Sequence, residues 1–175
     1  INLRTQITFP GTQDCLWLYV IPSAKFNSAY TAETYIKDTA LAAKGDLVFG
    51  GWEFGVGGFY KYQNAPKAMI TASGSIIHGK VSVFGEAVYQ YGADTEWADD
   101  NSWKDKTSLC YLTAGAMYLW KKPQIMLAAQ YYYDSNAKDM VHSLITNGHN
   151  IALVANFGKI YKLPDVTSTV FGMVN

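Results

Sequence analysis

The sequence is short of charge and of cysteine and has no long apolar run, and each shortage removes a class of protein. Charged residues make up 16%, against roughly 25% in ordinary soluble domains, so fewer ionised groups than usual are on hand to keep a surface wet. No stretch approaches the roughly 18 uninterrupted apolar residues of a spanning helix, which argues against a helical membrane protein. The two cysteines, Cys15 and Cys110, lie far apart, fall in expected strands and are read as unpaired rather than as a disulfide framework. Basic and acidic residues balance at 14 each, so nothing suggests a nucleic-acid footprint. No basic segment followed by an apolar one opens the chain; the expectation is a removed signal peptide or a start inside a longer protein.

Catalytic and metal signatures are missing as well. No Gly-rich phosphate loop precedes a helix, and no nucleophile, base and orienting acid stand in a recognisable arrangement. His78, His142 and His149 lack the spacing of metal ligands. Asp94, Glu96, Asp99, Asp100 and Asp105 crowd one segment without the order of a calcium loop and read as a solvated acidic loop. The chain is therefore not expected to be an enzyme or to carry a metal or cofactor.

What the sequence does have is alternation. Hydrophobic residues reach 49% and aromatics 15%, with 13 Tyr. In Trp52–Tyr62 the even positions read Trp52, Phe54, Val56, Gly58, Tyr60 and Tyr62, the odd ones Glu53, Gly55, Gly57, Phe59 and Lys61. Successive strand side chains point to opposite faces, so one face is apolar and the other largely polar and small. The pattern recurs in Ile1–Phe9, Asp14–Ile21, Thr39–Leu47, Lys67–Ile77, Val81–Tyr91, Ser108–Trp120, Ile125–Tyr133, Asn150–Phe157 and Val166–Val174. In Lys67–Ile77, for instance, Ala68, Ile70, Ala72 and Ile76 are expected to face outward. Ala32–Lys44 has the composition of a helix, but its second half is assigned to the strand from Thr39. The result is about ten antiparallel strands joined as hairpins.

Connections tend to alternate between short and longer, with Gln63–Pro66 and Gly158–Pro164 fitting this least well. Short ones fall at Pro10–Gln13, Phe49–Gly51, His78–Lys80, Lys121–Gln124 and Gly158–Pro164, longer ones at Ser23–Asp38, Gln63–Pro66, Gly92–Lys106 and Asp134–Gly148. Tyr60, Tyr62, Tyr89, Tyr91 and Tyr131–Tyr133 border the longer set; Phe9, Trp52, Tyr118, Trp120, Phe157 and Tyr161 border the shorter one. Strands of this length, with short turns at one end, long loops at the other and aromatic girdles at both, describe an outer-membrane barrel. The expected fold class is all-β, an antiparallel transmembrane β-barrel meander. With long loops outside, the first strand descends and the tenth ascends. Residues 1–175 then form a single segment of a larger barrel, with strands missing at both ends.

The stretch Gly50-Gly51-Trp52-Glu53-Phe54-Gly55-Val56-Gly57-Gly58-Phe59-Tyr60-Lys61-Tyr62 resembles Gram-negative outer-membrane porins and the alginate-export type of barrel. The resemblance is one of class pattern and transfers no binding residue. It implies a protein of the bacterial outer membrane that acts as a porin or passive channel for small solutes or polymers. On that reading the faces away from lipid line the pore, with Arg4, Lys44, Asp46, Glu53, Lys61, Lys67, Glu86, Gln90, Gln130 and Asn156. The implied partners are membrane lipid, small solutes in the lumen, and a further copy of the chain or another outer-membrane protein. Two rivals are a structural or adhesive barrel whose loops hold a partner, and a soluble β-barrel that binds an apolar ligand.

Overall fold

The computed structural model describes residues 3–22, 31–120, 125–136 and 148–157, together with the backbone of 168–174. Its strands are β1 (Leu3–Thr8), β2 (Cys15–Ile21), β3 (Ala40–Phe49), β4 (Trp52–Tyr60), β5 (Lys67–Ile76), β6 (Val81–Tyr91), β7 (Ser108–Trp120), β8 (Ile125–Asp134), β9 (His149–Phe157) and β10 (Ser168–Val174). Helix α1 (Ala32–Asp38) lies between β2 and β3, and α2 (Asp94–Asp99) between β6 and β7. Strand order follows the sequence from β1 to β10 in one sheet. The chain is thus an all-β antiparallel meander whose strands fall where alternation placed them. Among the described residues, no helix is long and apolar enough to cross a membrane.

By compactness the chain divides into one unit of Ile1–Ile70 with Val88–Leu109 and another of Thr71–Ala87 with Cys110–Asn175. In the first unit the register runs Arg4↔Tyr19, Tyr19↔Ala42 and Ala42↔Phe59, which puts these residues on one face. The next rung, Thr5↔Leu18, Leu18↔Ala43 and Ala43↔Gly58, shows the other. Leu18, Leu41, Leu47, Phe54 and Val56 stand exposed on that second face. The turn between β3 and β4 explains why the register holds. Phe49 pairs with Trp52 around Gly50-Gly51, both at positive φ (60° and 81°), the two-residue turn whose twist matches the flanking strands.

In the second unit Ala116↔Ala129, Ala129↔Leu153, Tyr118↔Leu127 and Leu127↔Ala155 make an apolar face. Gly115↔Gln130 and Gln130↔Ala152 belong to the opposite one. Close approach fixes Gly115: a Cβ there would sit 2.5 Å from Phe84 Cζ and 3.0 Å from the Ala129 carbonyl oxygen.

Among the described residues the buried apolar set is Ala40, Ala65, Trp97 and Leu109.

Helix formation departs from expectation at one place and refines it at another. The segment Gly92–Lys106 is not a plain solvated acidic loop. It contains α2, and Trp97 is only 2% exposed. The aromatic residues interleaved with the acids supply the reason: Trp97 meets Trp103 edge-on with ring centroids 4.8 Å apart, and Trp103 stacks on Tyr91 at 6.1 Å. In Ala32–Lys44 the chain divides, with α1 taking the first half and β3 beginning at Ala40. Thr31 caps α1 by accepting the Thr34 N–H, and Glu33 pairs with Lys37 at 2.6 Å, one helical turn on. The expected turns at Lys121–Gln124 and Gly158–Pro164, nearly all of the loop Asp134–Gly148, and His142 lie outside the described residues.

Candidate functional site

The sheet register gathers Arg4, Lys44 and Asp46 on one face of the first unit. Lys44 and Asp46 are two apart on β3, hence on the same side, and Lys44 Nζ lies 2.8 Å from Asp46 Oδ1. Cys15 is opposite Asp46 and Trp17 opposite Lys44 in the β2–β3 pairing. The Trp17 indole N–H donates to Asp46 Oδ2 at 3.0 Å, and the Cys15 thiol to the same oxygen at 3.7 Å. Asp46 is 8% exposed, so its charge is sheltered and needs these partners. Arg4 completes the cluster by laying its guanidinium over the Trp17 ring, 3.9 Å from the centroid, with Tyr19 at 5.9 Å.

The remaining expected site residues separate by role. Glu53 pairs with Val48 across β3–β4, one step along the face from Asp46. Lys67 projects toward Phe59, with Nζ 6.0 Å from the ring centroid. Lys61 follows β4, and its carbonyl accepts the Asn64 N–H in the turn toward β5. Gln90 is buried at 7% and donates to the Gly92 carbonyl at 2.8 Å, so it ties β6 to its loop. Glu86, Gln130 and Asn156 belong to the second unit. There Gln130 faces Gly115 and Ala152, and Asn156 faces Met126. Trp17, Tyr19 and Cys15 are neighbours of this cluster that the polar-residue criterion overlooks. Their strand looks greasy on both faces, and only pairing with Arg4, Lys44 and Asp46 singles them out.

At one end of the first unit the connections build a packed cap. The Ala65 N–H donates to Asp94 Oδ1 at 3.0 Å, and the Tyr91 N–H to the Pro66 carbonyl at 3.2 Å. Lys37 of α1 reaches the Tyr62 ring at 5.3 Å. Trp97 donates its indole N–H to the Tyr91 carbonyl at 2.6 Å, and Lys106 Nζ donates to the carbonyls of Glu96 and Asp100 at 2.7 and 2.6 Å. The carboxylates of Glu96 and Asp100 are used inside the loop. Glu96 accepts the Thr107 hydroxyl at 2.6 Å and the Ala93 N–H at 2.9 Å, and Asp100 accepts the Ser102 hydroxyl at 2.6 Å. Hydrogen bonds from Thr107, then Ala93, hold the Glu96 carboxyl below the ordinary glutamate range, and those from Ser102 do the same for Asp100. Tyr131 and His149 meet in the second unit, where the hydroxyl lies 2.7 Å from Nδ1. Among the described residues no group of His, Cys, Asp and Glu is arranged to hold a metal ion.

No protein-family model matches the chain, and comparison with curated proteins and with solved structures finds no match. The functional reading therefore rests on the residues themselves.

Proposed function

We propose that the chain is a segment of a bacterial outer-membrane β-barrel that acts as a porin or passive channel for small solutes or polymers, without enzymatic chemistry. The observation that carries this reading is the opposition of two faces in the first unit. Leu18, Leu41, Leu47, Phe54 and Val56 stand exposed on one side, while Arg4, Lys44 and Asp46 cluster on the other. A water-soluble protein seldom presents so continuous an apolar surface. Lipid would cover it, and the ladders of the sheet would satisfy the backbone groups that hydrocarbon cannot. Closure of the sheet into a barrel belongs to this proposal.

On the polar side, Lys44 and Asp46 cancel locally, so charge is mixed rather than of one sign. Weak ion selectivity follows from that arrangement. The test is conductance of the purified protein in a planar lipid bilayer. Stepwise conductance with modest ion preference is expected; a protein that inserts without conducting, or that stays monodisperse without detergent, would overturn the reading.

A further inference from the structure

The polar face of the first unit contains a cavity of about 280 Å³ whose walls are almost wholly apolar. Its shape follows from residue sizes on adjacent strands. Ala42 pairs with Tyr19 on one side and Phe59 on the other, so a methyl group lies between two rings and leaves a depression. Gly57, opposite Lys44, adds no side chain of its own, and a Cβ there would come within 3.3 Å of Met69 Cε. Met69 and Val88 close the remaining walls. Lys44 and Lys67 contribute their stems to the lining.

The two ammonium groups are not equivalent. Lys44 is spent on Asp46 at 2.8 Å, whereas Lys67 has no carboxylate partner among the described residues and lies 6.0 Å from the Phe59 ring. An apolar slot with one uncommitted cation at its edge suits a ligand that is flat and apolar at one end and anionic at the other. We propose that this cavity binds a small aromatic carboxylate, its ring between Tyr19 and Phe59 and its carboxylate on Lys67. A 150 Å³ apolar cavity already accepts benzene, so a cavity of about 280 Å³ admits one ring, or two fused, with room for a substituent. The inference rests on the proposed function only in requiring that the polar face be open to water.

The test is calorimetric titration of the full chain, refolded in detergent, with benzoate and with its neutral counterpart benzamide. Benzoate is expected to bind saturably and benzamide about tenfold more weakly, the difference made by one charge-assisted hydrogen bond. Lys67→Gln should bring benzoate down to the benzamide level, Lys67→Arg should retain the preference, and Val88→Trp should fill the slot and abolish both. Circular dichroism of each variant separates lost binding from lost folding. Absence of saturable binding, equal affinity for the two probes, or insensitivity to Lys67→Gln in a folded variant would each overturn the assignment. Conductance of the ligand-free protein reads the channel proposal separately. Benzoate binding without conductance would leave the cavity standing and remove the channel, and conductance without benzoate binding would do the reverse.

Discussion

Asp46 accepts from Trp17 and Cys15 and pairs with Lys44, all on a face that gives it little solvent. Asp46→Ala would strand the Trp17 donor and the Lys44 charge together, and should lower stability by about 1–3 kcal/mol in denaturant unfolding from detergent micelles. Asp46→Asn should recover part of the loss, because an amide oxygen still accepts from the indole. A second residue test concerns facing. Ile70 is 60% exposed on the apolar side, and Thr71 is its neighbour on the other. In a lipid-inserted barrel, Ile70→Arg should cost about 2–4 kcal/mol. Thr71→Arg should fold normally and alter ion preference. Equal penalties would show that the faces have been assigned the wrong way round.

Among the elements, the loop between β6 and β7 is built differently from a solvated connection. Glu96 is its electrostatic anchor, and its carboxyl is held low mainly by Thr107, so the ionised form is the bonded form. A lowered folded value means that the contribution is fully present above the unfolded glutamate range, roughly pH 4.3. It is lost as pH falls through the lowered folded value. Acid titration should therefore loosen the packing of Trp97 against Trp103 below the ordinary glutamate range, read by near-UV circular dichroism. Glu96→Gln should weaken the loop at neutral pH and remove its part of the acid transition. If wild type and variant titrate alike, the carboxylate is not the anchor.

For the molecule as a whole, the proposed orientation sets α1, the turn before β5 and the capped loop outside, with the tight turns at the other end. Single cysteines at Asn101 in the capped loop and at Thr12 in the β1–β2 turn, in a background of Cys15→Ser and Cys110→Ser, should differ in reactivity on intact cells. A thiol reagent too large for the pore should label position 101 and spare position 12. The opposite pattern would reverse the orientation.

Alternation determined the strand positions and the two faces, because a period of two is a local property that backbone geometry imposes on every pleated strand, and the connections read as hairpins added the antiparallel meander. The Gly50-Gly51 turn was legible for the same reason: only positive φ closes a two-residue hairpin, and the glycines announce it. Arg4, Lys44 and Asp46 could be named from the polar faces of their own strands. Their assembly with Cys15 and Trp17 could not, since it depends on which rungs of three strands meet. The helix at Asp94–Asp99 escaped detection because its stability comes from Trp97, Trp103 and Tyr91 packing together and not from intrinsic propensity. The slot between Tyr19 and Phe59 likewise exists only where Ala42 falls between two rings from other strands. Strand and face follow from neighbours in the chain, whereas cluster, cap and cavity follow from register, which brings together residues that the chain keeps apart.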